Sequence, residues 1–356
     1  MIMPIKRTLL HIRPARLIVT LGLSLAVITF VALIFLRRYV VNPVLSLGSG
    51  EIEYLYVPTG ADFDDVLMLL DSKGFWADRE AFVSMAVLMG YPSAVKPGRY
   101  ELSSGLTARS LVAMLRAGAQ KPVNVTFNNI RTLQNLAGVF SRHLEADSAE
   151  LLAAMRDSLT LSAWGLDRQT APAIYLPDTY NLWWNVRPRA FVERMHREYV
   201  DFWNSARRHR ADSLGLSPVQ VSILASIVEE ESNLAEEQRI IASVYLNRLR
   251  ISMPLQACPT LKFALGDFSI RRVSHADTQV DSPYNTYKNP GLPPGPIRIP
   301  SKKAIDAVLD AADTDFLYMC ARPDGSGRHS FARTLAQHQR NASEYHRSLN
   351  QRKIYR

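Results

Sequence analysis

Cysteine is scarce in this chain, whose 356 residues include only Cys258 and Cys320. Two cysteines so far apart in the sequence define no disulfide framework, although they would allow one bridge in an oxidising compartment. Also missing are the Cys/His spacings of zinc sites and the glycine patterns of Walker and dinucleotide-binding loops. The sequence therefore predicts a protein that holds no metal ion and no cofactor.

Dense tracts of lysine and arginine with interleaved aromatic residues are lacking too, which argues against nucleic-acid binding. The net charge is +9, from 42 basic and 33 acidic residues, and four of the basic residues precede an apolar run near the N-terminus. The remainder is only mildly basic, which favours an anionic polymer or lipid head groups as a partner. With 47% hydrophobic residues, the chain is large enough to form two domains with cores.

The apolar run covers residues 17–36, twenty residues without a charge, which is enough for one membrane-spanning helix. More basic residues precede it than follow it, so the positive-inside rule places residues 1–16 in the cytoplasm and the rest of the chain outside. A cleaved signal peptide is the alternative. Against that alternative, the run is long and is followed by Arg37 and Arg38 rather than by a small-x-small cleavage site.

Beyond the predicted membrane helix, residues 37–50 end in Leu-Gly-Ser-Gly, which is typical of a short flexible linker. A strand, a polar turn and a short helix then recur, which predicts small βα units in a compact module, or more simply an α+β domain. The predicted strands and helices are 51–57 with 62–73, 98–107 with 108–116 and, more weakly, 123–127 with 132–143.

A well-marked helix is predicted over residues 217–232. Ser217 is a good N-cap, Pro218 suits the first helical position, and Gln220 completes a capping box. At about 100° per residue, the apolar side chains form one stripe along this helix. Its members are Ile223, Leu224, Ile227 and Val228.

Glu231 falls near the centre of that apolar stripe, whereas Glu229 points roughly opposite and Glu230 lies toward the flank. Burial of a carboxyl group raises its pKa, and a general acid at neutral pH needs a raised pKa. The pattern therefore indicates Glu231 as a candidate catalytic acid. The alternative is a helix-terminal glutamate that reaches water or pairs with an arginine such as Arg239.

A second helix is predicted over residues 235–250, so two helices meet just after Glu231 and form a corner that suits an active site. The segment that follows, to about residue 301, is rich in turns and prolines and predicts a stiff polar loop. An aromatic stretch at 172–184 contains four rings that either stack on sugar faces or belong to the core. These are Tyr175, Tyr180, Trp183 and Trp184.

Five ordered segments resemble motifs of the MltG/YceG family of endolytic murein transglycosylases. They are residues 225–232, 244–249, 253–260, 284–287 and 291–297. Further likeness at 177–180, 327–331 and 336–338 extends the resemblance over roughly residues 50–346. The resemblance implies an α+β protein with a single N-terminal transmembrane helix (17–36), a linker (37–50), a small LysM-like βα module (51–122) and a mixed α+β lytic transglycosylase domain (123–356).

By the same resemblance, Glu231 is the catalytic acid, because it is the second glutamate of the family's Glu-x-Glu motif. The family reaction cleaves the β-1,4 bond between N-acetylmuramic acid and N-acetylglucosamine and leaves a 1,6-anhydro end. One glutamate suffices for this chemistry, since the sugar's own C6 hydroxyl replaces the nucleophile or water that a second carboxylate usually activates. The remaining motif residues are assigned to substrate binding: Gln256, Thr260, Tyr284, Asn285, Thr286, Tyr287 and His329.

Other matched residues have open roles, and two positions depart from the family pattern. Asn247 and Arg248 are interpreted as struts between a helix and a loop. The family usually has Asp where this chain has Cys258, and it usually has Glu-Gly where this chain has Pro172 and Ala173. A role of either family acid is therefore absent here or is met by another group.

The resemblance also places the protein in a bacterial inner (cytoplasmic) membrane, with its catalytic domain on the extracytoplasmic side. Peptidoglycan glycan strands are the expected substrate, and penicillin-binding proteins or other cell-wall synthesis proteins are candidate partners. Two alternative functions stay open: a muramidase that uses water, and a non-catalytic scaffold that binds glycan.

Overall fold

The computed structural model describes residues 14–48, 50–270 and 272–352. Its helices, strands and turns form a mixed α+β protein. Two compact units are present: the first extends to Pro122 and includes Trp183–Asn185, and the second comprises Val123–Leu182 and the chain from Val186 onward. Residues 1–13 of the predicted cytoplasmic tail lie outside the described residues.

The first unit begins with the apolar helix that the sequence predicts, observed as α1 (Pro14–Leu36). A π-helical turn, Arg37–Val41, continues it. The segment Ile18–Val41 is long and apolar enough to cross a membrane, and none of its most apolar stretch is buried within the protein. This finding is consistent with a single-pass membrane anchor.

Two antiparallel strands and three helices form the rest of the first unit. The sequence anticipates both strands and the first and last of these helices, but not the middle helix. The α2 helix begins with a capping box at Asp62 and ends at Gly74, which adopts the left-handed conformation. The elements are β1 (Ile52–Val57), α2 (Phe63–Lys73), α3 (Arg79–Leu88), β2 (Gly98–Ser103) and α4 (Ala108–Ala117).

The expected flexible linker at residues 37–50 is instead largely built into the first unit. Val44 is fully buried and Leu45 is 3% exposed, and both belong to the core of this unit. The backbone N–H of Val44 donates to Leu106 O at 2.9 Å, and Ala77 N–H donates to Val44 O at 2.9 Å. Glycine and serine at the end of the segment favour a linker in the sequence, whereas Val44 and Leu45 attach the segment to the core.

The second unit contains ten α-helices, two short 3-10 helices and four strands among its described residues. The strands form two antiparallel pairs, β3 with β4 and β5 with β6. The first half comprises β3 (Val123–Phe127), α5 (Leu133–Phe140), α6 (Ser148–Met155), α7 (Ser158–Ala163), β4 (Asp178–Leu182), α8 (Pro188–Phe202) and α9 (Ser205–Ser213). The second half comprises α10 (Pro218–Glu231), α11 (Ala235–Arg250), α12 (Cys258–Leu265), α13 (Lys302–Leu309), β5 (Tyr318–Ala321), β6 (His329–Ala332) and α14 (Leu335–Gln351).

Helix α10 runs through the core of the second unit. Its predicted start is confirmed, because Ser217 and Gln220 form a capping box. The predicted single apolar stripe is wrong, since every residue from Val221 to Val228 is buried. Ser222 and Ser226 interrupt the apolar pattern in the sequence, but both donate to backbone carbonyls of their own helix and are thereby satisfied in the core.

The burial of Val44 in the core of the first unit leads to a stability prediction. Val44→Asp places an unpaired charge in the core, so the free energy of unfolding of this unit should fall by about 3 kcal/mol or more. Hydrogen exchange of residues 43–117 measures the change. Val87→Asp is the matched control, because Val87 is 64% exposed. Equal protection in both variants would mean that the segment around Val44 is a dispensable spacer.

Candidate active site

A cleft of about 480 Å³ lies at the end of α10, beside the second half of α11. Residues of α10, α11, α12, β5, β6 and α14 line it, and all of them belong to the second unit. Of the corner that the sequence predicts after α10, Glu231 lines the cavity, whereas the lining residues of α11 begin at Val244. The size of the cavity is in the range of small-ligand sites, and its open side would admit part of a polymer.

Glu231, the last residue of α10, lines this cleft and is partly exposed to it. Tyr245 on α11 donates its hydroxyl to Glu231 Oε1 at 2.6 Å. Burial raises the pKa of Glu231, although the Tyr245 hydrogen bond and the nearby His329 and Lys262 oppose the rise. Burial and the Glu231 carboxylate also raise the pKa of Tyr245, so its hydroxyl keeps its proton and remains a donor.

The two neighbouring glutamates point away from the cleft and are held by basic groups. Arg298 Nη1 donates to Glu230 at 2.9 Å, and Arg131 lies 3.0 Å from the same carboxylate. Glu229 accepts the backbone N–H of Ser301 at 3.0 Å and lies 3.4 Å from Arg298. Of three consecutive carboxylates, only Glu231 is therefore free to face a ligand.

The alternative interpretation of Glu231 included a pairing with an arginine such as Arg239, and the pairing with Arg239 is not observed. Arg239 Nε donates to the carbonyl of Asp310 at 2.6 Å instead. The partner of Glu231 is the neutral phenol of Tyr245, which leaves the carboxyl group able to gain and lose a proton.

His329 lies at the start of β6, lines the cleft and is 8% exposed. Its Nδ1 lies 3.0 Å from Glu237 Oε2, and its backbone N–H donates to Glu237 Oε1 at 2.8 Å. Although burial acts to raise the pKa of Glu237, the hydrogen bonds from His329 outweigh it and lower that pKa. Glu237 is thus a buried carboxylate that fixes the ring of His329, with Nδ1 as the protonated nitrogen.

Asn247 and Arg248 act as struts, as the sequence analysis interprets them. Asn247 Nδ2 donates to the carbonyls of Thr314 and Phe316. Arg248 is 6% exposed, and its guanidinium donates to the carbonyls of Leu317, Pro254 and Leu255. These contacts tie α11 to the loop before α12 and to the start of β5, which are two walls of the cleft.

The motif residues after Arg248 fall into a supporting set and a cleft set. Thr260, Asn285 and Thr286 are buried, and their side chains bond to the protein itself. Thr260 Oγ1 lies 2.8 Å from Thr286 Oγ1, and Asn285 Nδ2 donates to the carbonyls of Thr278 and Val280. These three residues fix the loops on which the cleft residues lie.

Gln256 and Tyr287 line the cleft together with Glu231, whereas Tyr284 is not among its lining residues. Tyr284 packs its ring on Phe263 at a centroid distance of 4.7 Å. Gln256 has φ of 50°, in the left-handed region that is unfavourable for a side-chain-bearing residue. Its backbone N–H donates to Thr286 O at 3.0 Å, which holds this strained conformation at the edge of the cleft.

Both cysteines are free thiols and both line the cleft. Cys258 Sγ lies 3.3 Å from the hydroxyl of Tyr287. Burial raises the pKa of both thiols, so they are neutral. At Cys258, this cleft therefore presents an uncharged polar group.

Sequence reasoning missed three groups around the cleft. Tyr245 and Glu237 lie on a helix that the sequence predicts, but their partners are 14 and 92 positions away along the chain, so only tertiary packing reveals them. Lys262 lies outside the matched motifs, so no sequence signal marks it. No group of histidine, cysteine and carboxylate side chains suited to a metal ion occurs within the described parts of the chain.

The strut role of Arg248 leads to a second stability prediction. Arg248→Met removes the donors to three carbonyl groups, each of which costs about 1–3 kcal/mol if left buried and unpaired. The free energy of unfolding of the second unit should therefore fall by about 3 kcal/mol or more in urea denaturation. Arg250→Met is the matched control, because Arg250 is exposed. Equal midpoints for the two variants would contradict the strut role.

The sequence and the fold both match known proteins. The sequence pattern of the YceG-like family matches residues 55–344. The endolytic murein transglycosylase of Bacillus subtilis strain 168 is 26% identical over 316 residues, which cover 83% of this chain and 85% of that protein. That of Streptococcus pneumoniae serotype 2 is 27% identical over 342 residues, which cover 86% of this chain but 61% of its own length. A crystal structure of a yceG-like protein from Listeria monocytogenes superposes with a TM-score of 0.54 and 26% identity, covering 82% of this chain and 99% of its own. This chain belongs to the YceG-like family.

Proposed function

We propose that this protein is an endolytic peptidoglycan lytic transglycosylase. It cleaves the β-1,4 bond between N-acetylmuramic acid and N-acetylglucosamine in nascent glycan strands and leaves 1,6-anhydro ends. The relatives named endolytic murein transglycosylase support the general activity. The observation that carries the proposed mechanism is the position of Glu231 as the sole carboxylate among the described residues that line the cleft.

A single carboxylate suits an acid that becomes a base within one catalytic cycle. Glu231, whose pKa is raised by burial, would act as the acid and give its proton to the leaving glycosidic oxygen. The resulting carboxylate accepts the proton of the C6 hydroxyl as that oxygen attacks C1. Tyr245 donates to the carboxylate throughout and limits the energetic cost of forming a charge at a buried position.

The remaining motif residues divide by their position. We assign Gln256, Tyr287 and His329 to direct contact with sugar hydroxyl and N-acetyl groups, because their side chains line the cleft. Thr260, Asn285 and Thr286 would act on substrate through the loops that they fix. Tyr284 would contact a sugar only beyond the cleft, where part of its ring is exposed.

Placement at a membrane completes the proposal. Helix α1 would anchor the protein in the bacterial inner membrane, with the N-terminus in the cytoplasm and both units outside. The first unit would be a LysM-like glycan-binding module. Two features support this assignment: the unit has its own hydrophobic core, and its two strands, which are paired, flank two helices in the sequence. Penicillin-binding proteins or other cell-wall synthesis proteins are the candidate partners.

Replacement of the proposed acid tests the activity. Glu231→Gln cannot donate or accept the proton, so kcat should fall by about 10³-fold on purified glycan strands. Mass spectrometry of the products measures the 1,6-anhydro ends. Glu236→Gln is the matched control, because Glu236 is an exposed neighbour outside the cleft and should retain activity.

The same product analysis separates the alternative functions. A muramidase would leave reducing ends in place of anhydro ends. A non-catalytic scaffold would leave strands uncut, and its Glu231→Gln variant would complement a deletion as well as the wild type does. Undiminished cleavage by Glu231→Gln would overturn the assignment of the acid.

The Tyr245 hydrogen bond predicts a shift in pH dependence. Because Tyr245 stabilises the charged form of Glu231, Tyr245→Phe should raise the pKa of the acid further. Glu231 then stays protonated to higher pH, so the alkaline limb of the kcat/KM profile should move upward. Tyr175→Phe is the control, because the Tyr175 hydroxyl is buried without a hydrogen-bond partner among the described residues. A downward shift in Tyr245→Phe, or an equal shift in both variants, would contradict this role.

A further inference from the structure

Lys262 lies on the wall of the cleft, one helical turn beyond Cys258. Helix α12 begins at Cys258, and residues four positions apart lie on the same helix face. Both side chains line the cleft with Glu231. Lys262 is partly buried, and its ammonium is close enough to Glu231 and Cys258 to lower the pKa of each against the larger effect of burial.

The ammonium of Lys262 makes no hydrogen bond or ion pair with any residue that the structure describes. Two other lysines of the described chain have carboxylate partners, since Lys73 binds Glu53 and Lys302 binds Asp178, and two more, Lys96 and Lys288, donate to carbonyl oxygens. The position that would supply a partner to Lys262 on the same helix face holds the neutral thiol of Cys258. Lys262 as a residue is partly buried, but its ammonium is not among the buried polar atoms that lack a partner, so it reaches the open cleft. Without a counter-ion among the described residues, it is available to an anion that a ligand supplies.

The charge of the surrounding cleft also favours an anionic ligand. Arg248 and Arg272 also line it, and the guanidinium of Arg248 is held by carbonyl oxygens rather than by a carboxylate. Glu231 is the sole acidic residue of the described lining, and its proposed role requires the uncharged form. The cleft is therefore electropositive and attracts an anionic ligand.

We propose that Lys262 determines specificity by binding a carboxylate carried by the muramic acid of the glycan strand. This inference rests on the proposed function. Muramic acid carries a lactyl ether whose carboxylate is free in strands without peptides. In strands with peptide stems, that carboxyl group forms an amide, and the stem supplies carboxylates of its own. Either source fits a single ammonium, which binds as a point charge without a fixed geometry.

Binding of a carboxylate at Lys262 would also favour the protonated acid. In the empty cleft, the positive charge of Lys262 opposes the rise that burial gives to the pKa of Glu231. A bound carboxylate neutralises that charge, so Glu231 holds its proton more firmly in the complex with the correct substrate. Binding of the muramic acid side chain is thereby coupled to protonation of Glu231.

The test compares three glycan substrates on the full-length protein in detergent. These are strands with intact peptide stems, strands stripped of stems by an amidase, and the stripped strands after carbodiimide-mediated conversion of their lactyl carboxylates to neutral carboxamides. Release of 1,6-anhydro ends gives kcat/KM for each. The variants are Lys262→Met, Lys262→Arg as the charge-conserving variant, and Lys303→Met as an exposed lysine outside the cleft.

The wild type, Lys262→Arg and Lys303→Met should cleave at least one carboxylate-bearing strand about tenfold more efficiently than the amidated strand. In Lys262→Met that ratio should fall to about one. Preference for stripped strands would identify the lactyl carboxylate as the ligand, and preference for intact strands would identify the stem. An unchanged ratio in Lys262→Met, or no discrimination by the wild type, would overturn the inference. Reducing ends in place of anhydro ends would instead refute the proposed reaction, while the ratios would still test Lys262.

Discussion

Burial of the middle of α10, where every residue from Val221 to Val228 is buried, is the constraint on which the site depends. A helix packed on all sides cannot rotate or slide, so the direction of its last side chain is set by the core of the second unit. Arg298 and Arg131 fix Glu229 and Glu230 on the side away from the cleft. Glu231 is thereby directed into the cleft, with a nearby phenol instead of a positive ion as its hydrogen-bond partner.

Local signals in the sequence were sufficient for several elements. The capping box at Ser217 marks the start of α10, the bounds 235–250 for α11 are confirmed, and the charge-free run predicts α1. These features depend on residues within one or two helical turns of each other, where capping and composition act directly. Glu231 was likewise singled out by its position on the helix, although the helix is buried on more sides than its pattern indicates.

Features that depend on distant residues could not be predicted in this way. The pairing of Glu237 with His329 joins positions 92 residues apart, and no local pattern marks either residue as a partner. Thr260, Asn285 and Thr286 belong to the same motifs as the cleft residues Gln256 and Tyr287. Their hydroxyl and amide groups, however, form hydrogen bonds within the protein. A motif therefore identifies the neighbourhood of a site, whereas packing decides which of its side chains reach a ligand.

The buried position of Val44 limits how far the first unit can lie from a bilayer. The helical segment that includes α1 ends at Val41, and Val44 is already part of the core of the unit. Three residue steps span at most about 11 Å, even when fully extended. With α1 in a membrane, as proposed, this unit would be held at the headgroup surface.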